Sequence, residues 1–326
     1  MSNTAKYDVL GIGNAIVDII ATVPNDFLFE QDIVKGSMTL IDQDRAQALY
    51  SSFPPATETS GGSAANTIAG IGSFGGKAAF IGKVADDGLG EIFAHDLRAS
   101  GAAYEVAPLV DGPQTARCLI AVTPDAQRSM STFLGASAEF CASDLDPEMI
   151  RASHITYMEG YLFDLDPAKK AFVEASEIAR AAGRKTAITL SDLFCVDRHR
   201  ASFLHLIRNS IDILFANEIE LLSLYQTMSL DDALAQVRND SGFAVVTLGE
   251  KGSLIMDGET LVEIPAASVE RVVDTTGAGD LYASGLLYGL AAGLSLERCG
   301  ELGSLAAAEV ISHYGARSEI SLASLL

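Results

Sequence analysis

A short segment near the end of the chain combines small residues that could bind an anion with an acid that could accept a proton. Residues 274–280 read DTTGAGD, follow a β-branched stretch at 268–273 and lead into an apolar run at 281–287. This order predicts a strand, a turn and a helix. The first N–H groups of a helix lack internal partners, and the helix dipole is positive there. We therefore predict that Gly277, Ala278 and Gly279 form an anion hole, with Asp280 in the first helical turn beside it.

An anion hole next to a carboxylate is suited to transferring a phosphoryl group to a hydroxyl. Asp280 would accept the hydroxyl proton, and the hole would stabilise charge on the transferring phosphate. An ordinary aspartate, with a pKa of about 3.9, is a sufficient base when the transition state is loose. Taken alone, the segment also permits a structural role, because a first-turn aspartate pairs favourably with the helix dipole.

The first apolar strand, at residues 7–13, is followed by side chains that could bind a sugar. Residues 11–18 read GIGNAIVD and lack the third glycine of a dinucleotide-binding turn, because Ile16 takes its place. Asn14 and Asp18 offer the paired donors and acceptors that vicinal hydroxyls require. The alternative is a turn asparagine with a capping aspartate.

A second glycine motif, SGGSAANT at residues 60–67, precedes a short small-residue helix predicted at 67–73. Its glycines allow close approach of a ligand to the backbone. We predict that Gly62, Ser63 and Asn66 contact the same hydroxyl-bearing substrate. As an isolated motif it is weak.

Two further strand ends carry candidate nucleotide-binding residues. Asn217 follows a strand at 211–216 and would cap the next helix, while Glu220 lies within reach of a magnesium-bound water. A helix cap with acids favoured by the dipole explains this pair equally well. After the strand at 243–248, Thr247, Gly249 and Gly252 could border ATP, or the two glycines could form only a tight turn.

Short apolar strands alternate with amphipathic helices along most of the chain, which predicts a doubly wound, mainly parallel α/β sheet flanked by helices. Two segments, approximately 15–42 and 113–136, break the alternation. Residues 115–123 and 128–134 alternate like a hairpin around a turn at 124–127. We interpret the two segments as a small β-sheet lid subdomain within a single domain that spans residues 1–326, since lids exclude water from phosphoryl transfer.

Composition excludes several classes of protein. The 326 residues carry a net charge of −21, which disfavours nucleic acid and anionic membrane surfaces as partners. There is no uninterrupted apolar stretch of about 20 residues that could span a membrane. The four cysteines are widely separated, which predicts free thiols and a cytoplasmic location. We expect the partners to be small molecules, and we expect the protein to be a monomer or a homodimer.

Taken together and in this order, these motifs resemble the PfkB, or ribokinase-like, family of small-molecule kinases. Gly61, Gly62 and Asn66 match the N-terminal signature of that family. Asn217 and Glu220 match its N-x-x-E element, and residues 274–280 match its C-terminal signature. The resemblance covers nearly the whole chain. It implies ATP and Mg²⁺ as cofactors, with Glu220 holding Mg²⁺ through water.

Within the family, residues 11–18, 190–194 and 211–218 are most similar to the adenosine kinase branch. That resemblance implies phosphoryl transfer from ATP to the 5′-hydroxyl of adenosine. It also implies roles for two sets of residues: Asn14, Asp18, Gly62 and Asn66 at the ribose hydroxyls, and Leu40, Phe133 and Phe194 in the adenine pocket.

The family often binds K⁺ near its anion hole, and Asp274 and Thr276 match one side of that site. The alternatives within the family are a ribokinase-, fructokinase- or 2-keto-3-deoxygluconate kinase-like sugar kinase, or an inosine or guanosine kinase. A further alternative is a nucleoside-binding protein that has lost catalysis, against which the intact Asp280 and both glycines argue.

Overall fold

A computed structural model describes residues 5–326, apart from the side chain of Asp164. Within this range the larger sheet has eight strands in the order β13-β12-β11-β10-β9-β8-β1-β5. Its strands are β1 (Tyr7–Ile12), β5 (Ala78–Ile81), β8 (Ser153–Glu159), β9 (Lys185–Thr189), β10 (Ile213–Asn217), β11 (Phe243–Thr247), β12 (Ser253–Asp257) and β13 (Thr260–Ile264). All neighbours pair in parallel except β11–β12 and β12–β13. The prediction of a mainly parallel sheet is confirmed.

A second, five-stranded sheet covers the carboxyl-terminal edge of the first, in the order β3-β7-β6-β2-β4. Its strands among the described residues are β2 (Ile16–Thr22), β3 (Met38–Leu40), β4 (Thr57–Gly61), β6 (Ala116–Val122) and β7 (Arg128–Phe133). The antiparallel pairing of β6 with β7 is the hairpin that the alternation predicted. The segments 15–42 and 113–136 contain four of these strands, whereas β4 lies outside both.

Helices pack on both faces of the larger sheet. In chain order they are α1 (Asn25–Glu30), α2 (Gln43–Ser52), α3 (Ser63–Ser73), α4 (Gly88–Ala99), α5 (Pro147–Arg151), α6 (Asp166–Ala181), α7 (Leu193–Ser210), α8 (Glu218–Tyr225), α9 (Leu230–Asp240), α10 (Ala278–Ala291) and α11 (Leu296–Val310). None in the described range is long and apolar enough to cross a bilayer.

Alternation along β1 separates two hydrophobic cores. Leu10 and Ile12 belong to the core that α6–α9 cover, and Val9 belongs to the core that α3, α4 and α10 cover. All of these side chains are fully buried. A strand with apolar residues on both faces is typical of a parallel sheet between two helical layers, so the carboxyl ends of the strands are left as the open edge.

Two local predictions were wrong. Residues 268–273 are irregular, not a strand: Val272 is 57% exposed, and the N–H of Val273 donates to the Ile311 carbonyl after α11 instead of to a sheet neighbour. β-branched residues favour a strand only where a neighbouring strand can pair with them. The helix predicted to start at 67 instead starts at Ser63, the first residue of α3.

Candidate active site

A cavity of about 780 Å³ lies between the two sheets, at the carboxyl ends of the parallel strands. The larger sheet contributes strand-end residues, including Asn14, Glu159 and Asn217, and the second sheet contributes others, including Asp18 and Thr132. Ligands of open α/β sheets bind at this edge, because the strand-to-helix loops converge there. The sequence-predicted residues that line the cavity are Asn14, Asp18, Leu40, Gly62, Ser63, Asn66, Phe194, Asn217, Glu220, Thr247, Thr276, Gly277, Ala278, Gly279 and Asp280.

The predicted anion hole is formed by the start of α10. Gly277 is the N-cap in a left-handed conformation (φ 78°), and Ala278 is the first helical residue. A Cβ on Gly277 would lie 2.7 Å from the Cα of Ala316, whereas a Cβ on Gly279 would enter open space. Gly277 is therefore required by the backbone, while Gly279 keeps room for a ligand at the positive end of the helix.

The Asp280 carboxylate is held by α3 through two hydrogen bonds. Ser63 Oγ donates to Oδ1 at 2.6 Å, and Asn66 Nδ2 donates to Oδ2 at 3.1 Å. Burial raises the pKa of Asp280, while these two bonds and the charge of Arg317 oppose the increase. The carboxylate is thus oriented toward the cavity and made more basic than an exposed aspartate, as a general base requires.

A glycine places α3 against the end of β1. Gly62, the N-cap of α3, has φ 96°, and a side chain there would collide with the carbonyl of Asn14. This close approach brings Ser63 and Asn66 to Asp280, which is more than 200 residues away in the chain.

Glu159, at the end of β8, is a buried acid that was not among the sequence-predicted residues. Its Oε1 accepts from Asn14 Nδ2 at 2.6 Å and from the Asn14 N–H at 3.3 Å, and its Oε2 accepts from the Ala64 N–H at 2.8 Å. Burial raises the pKa of Glu159 to about 7. Glu159 orients Asn14 and joins β1 to α3. Its place at the carboxyl end of a predicted strand, as for Asn14 and Asn217, was the signal that could have identified it.

Asp18 points from β2 into the cavity. Burial raises the pKa of Asp18 to about 6, and the guanidinium groups of Arg128 and Arg317 oppose that increase. Gly61 of β4 makes room for this carboxylate, since a Cβ there would lie 2.5 Å from Asp18 Oδ2. The second sheet therefore presents an acceptor in the same cavity that Asp280 lines.

The outer wall of the cavity contains two of the three predicted base-pocket residues. Leu40 is 53% exposed and Phe194 is 69% exposed, and both line the cavity. Phe133 does not: it is buried on the other face of β7, with the guanidinium of Arg117 5.8 Å from its ring. Successive side chains of a strand alternate between faces, so the neighbouring residues Met130, Thr132 and Leu134 line the cavity instead.

Asn217 and Glu220 form a reciprocal cap at the start of α8. Asn217 Nδ2 donates to Glu220 Oε1 at 2.7 Å, the Asn217 N–H donates to Oε2 at 2.9 Å, and the Glu220 N–H donates to Asn217 Oδ1 at 2.8 Å. Burial raises the pKa of Glu220 to about 7. Both residues still line the cavity, so the structural and binding interpretations coexist.

One of the three predicted ATP-binding residues around the end of β11 lines the cavity, and two do not. Thr247 lines the cavity, but Gly249 and Gly252 are outside its lining and form the turn to β12. Gly252 has φ 95°, and a side chain there would collide with the carbonyl of Ile264. In this structure the two glycines serve the turn.

Asp274 already has a full set of partners. Its Oδ1 accepts from the Thr276 N–H at 3.0 Å and Oγ1 at 2.7 Å, and its Oδ2 accepts from the Gly315 N–H at 3.1 Å. Arg128 of β7 also forms an ion pair with it. In the part of the chain that is described, no cluster of three or more His, Cys, Asp or Glu side chains could hold a metal ion. The K⁺ site at Asp274 and Thr276 stays a prediction.

Comparisons with known proteins agree with this geometry. Residues 34–322 match the pfkB family carbohydrate kinase profile. The structure of adenosine kinase from Sinorhizobium meliloti is 54% identical over 98% of both chains, with a TM-score of 0.91. A probable sugar kinase from Rhizobium etli CFN 42 is 49% identical over 99% of this chain and 98% of its own, with a TM-score of 0.92. Fructokinase-1 from Zea mays is 29% identical over 72% of this chain and 74% of its own length.

The family profile spans most of the chain, and the structural matches extend over nearly all of it. The fold, with its second sheet over the carboxyl edge of a mainly parallel sheet, and the resemblance drawn from the sequence motifs are both confirmed. Kinases of this family transfer a phosphoryl group to a small molecule, generally from ATP with a divalent metal ion. The chain belongs to the pfkB family of carbohydrate kinases.

Proposed function

We propose that this protein transfers the γ-phosphoryl group of ATP to the 5′-hydroxyl of adenosine, forming AMP and ADP. The observation that carries the proposal is the 54% identity, over 98% of both chains, to a protein solved as adenosine kinase. The site supports the chemistry, because Asp280 is oriented beside an open helix N-terminus and both line one cavity.

On the acceptor side, Asp280 accepts the proton of the attacking hydroxyl while the backbone of Gly277, Ala278 and Gly279 stabilises the transferring phosphoryl group. Asp18 accepts hydrogen bonds from the ribose hydroxyls. Asn66 Nδ2 has two hydrogens, so the bond to Asp280 leaves one for the substrate. Asn14, Gly62 and Ser63 complete the polar wall.

On the nucleotide side, Thr247 and the cap of Asn217 and Glu220 border the phosphates. Mg²⁺, when bound with ATP, neutralises phosphate charge. The Glu220 carboxylate already accepts two hydrogen bonds from Asn217, so it fits a water-mediated contact to the metal and not direct coordination. K⁺ at Asp274 and Thr276 remains a prediction, which the assay with and without K⁺ tests. Free thiols at the four cysteines suit the cytoplasm.

A sugar kinase is the second candidate, and the sequence matches to fructokinases of 25–29% identity favour it. A free sugar would use the same base, anion hole and Asp18. It would leave the outer wall at Leu40 and Phe194 without a contact, because a monosaccharide lacks the purine ring. The two candidates therefore differ only at this outer wall.

The test is ADP release from ATP and Mg²⁺ with adenosine, inosine, guanosine, ribose, fructose and 2-keto-3-deoxygluconate as acceptors. Each acceptor is assayed with and without K⁺, and Asp280→Asn serves as the control for background hydrolysis. A kcat/KM at least tenfold higher for adenosine supports the proposal. Preference for a free sugar would replace it with the second candidate. No turnover by a folded protein that binds adenosine would indicate a binding protein.

A further inference from the structure

We propose that Arg317 is a positioning residue, which fixes the orientation of the Asn66 amide and thereby that of the Asp280 carboxylate. Arg317 Nε donates to Asn66 Oδ1 at 3.3 Å, and Asn66 Nδ2 donates to Asp280 Oδ2 at 3.1 Å. The three side chains form a chain that begins after the end of α11 and ends at the base. The proposal rests on the proposed function, because it assigns to Asp280 the role of base.

The argument depends on the asymmetry of an amide. A carboxamide has an oxygen that only accepts and a nitrogen that only donates, and a guanidinium only donates. The bond from Arg317 therefore requires the Asn66 oxygen on its own side and turns Nδ2 toward Asp280. Asp280 favours the same orientation, because an amide oxygen turned toward it would bring two acceptors together, so loss of Arg317 leaves the amide with one restraint in place of two.

Burial makes this orientation consequential. Asn66 is 4% exposed, so its Oδ1 has little access to water as a substitute donor. A buried acceptor without a donor is destabilised by its lost solvation. The backbone cannot adjust freely, because the Asn66 N–H is bonded to the Gly62 carbonyl at 2.8 Å in the first turn of α3.

The charge of Arg317 acts in the same direction. Burial lowers the pKa of Arg317 to about 10, so the guanidinium stays protonated at neutral pH, and the carboxylates of Asp96, Asp18 and Asp280 oppose the decrease. Burial raises the pKa of Asp280 and of Asp18, and the charge of Arg317 opposes both increases. Arg317 thus keeps the base ionised as well as oriented.

The chain segment around Arg317 is tied to the anion hole on its other side. The Gly315 N–H donates to Asp274, and Ala316 packs against Gly277 and lines the cavity. One short segment therefore supports the anion hole through two residues and the base through the third. A residue that only anchored the C-terminus would not need a guanidinium directed at Asn66.

The test compares Arg317→Met and Arg317→Lys with the wild type, using the acceptor that the substrate panel identifies. We expect kcat to fall by about 10- to 100-fold in Arg317→Met, as misorientation of a catalytic group does, with KM for ATP unchanged. The acid-side decline of kcat should move to higher pH in Arg317→Met, because loss of the cation raises the pKa of Asp280. Arg317→Lys should keep this decline near its wild-type pH. The other ionisable groups that interact with Asp280 are Asp18, Glu159, Tyr157 and Tyr161, and they are the same in all variants.

A double-mutant cycle with Asn66→Ala separates positioning from a general loss of structure. If Arg317 acts through Asn66, adding Arg317→Met to Asn66→Ala should lower kcat by less than twofold more. Additive effects, an unchanged pH profile, or a lower melting temperature with normal kcat would overturn the proposal. Arg98→Met is the control, because Arg98 is a part-buried arginine that donates to the Tyr104 carbonyl outside the site. If Arg317→Met does not fold, Arg317→Lys alone tests the proposal. In that variant kcat should be lower than in the wild type, while the pH of the acid-side decline should be unchanged. Activity of the wild type on the panel tests the proposed function separately.

Discussion

The two ends of the cavity are built differently. At the inner end, Asp280 is half-buried and held by Ser63 and Asn66, and the anion hole is fixed by the backbone of Gly277. At the outer end, Leu40 and Phe194 are more than half exposed. Chemistry that is common to a family of kinases needs a preorganised group, whereas recognition of one acceptor can rely on an exposed wall. We expect substitutions at the inner end to change kcat and those at the outer end to change KM.

The largest effect is expected from removing the base. Asp280→Asn should lower kcat by about 100- to 10,000-fold, because an amide cannot accept the hydroxyl proton. The asparagine oxygen can still accept from Asn66 and its NH₂ group can donate to the Ser63 hydroxyl, so the melting temperature should change little. Steady-state ADP release and a thermal melt measure the two quantities. Turnover close to that of the wild type would remove Asp280 from the mechanism.

The next effect is expected from filling the anion hole. Gly279→Val places methyl groups in open space that faces the cavity, so the protein should fold while kcat falls by about 100- to 1,000-fold, as loss of a transition-state donor does. Gly277→Val is the matched comparison, since its side chain would collide with Ala316 and should lower the melting temperature. An active, folded Gly279→Val protein would show that the phosphoryl group is bound elsewhere.

A pH-dependent effect is expected at Asp18, between the two ends. Because burial raises the pKa of Asp18 to about 6, protonation below that pH removes a charged acceptor for substrate hydroxyls. KM for the acceptor should therefore rise as pH falls through about 6, while KM for ATP should not. Asp18→Asn should have a high acceptor KM at every pH. Equal pH dependence of acceptor KM in both proteins would assign the titration to another group.

The smallest effect is expected at the outer wall. Phe194→Ala should raise KM for adenosine by about 2- to 10-fold, the range that one aromatic contact supplies, and leave KM for ribose unchanged. Phe133→Leu is the control, because Phe133 is buried on the other face of β7 and should affect stability alone. A larger change in kcat than in KM at Phe194 would contradict the separation of the two ends.

Residues close together in the chain were the most predictable. The DTTGAGD segment predicted a turn followed by a helix with Asp280 in its first turn, and α10 has this arrangement, because caps and turns depend on neighbouring residues. Phe133 was misplaced because the register of β7 against β6 decides which face a side chain occupies, and a shift of one residue reverses it.

What the sequence determined by itself is the class of fold, the family and the chemical inventory of the site: small residues for an anion, an acid beside them, and polar strand ends for a polyol. Only the tertiary structure decided how these groups are held. Each of the contacts that hold the site joins residues more than 100 positions apart. These contacts are the hydrogen bonds from Ser63 and Asn66 to Asp280, from Asn14 to Glu159 and from Arg317 to Asn66. Local pattern cannot encode such contacts, because they depend on how sheets and helices pack and on how much solvent that packing excludes.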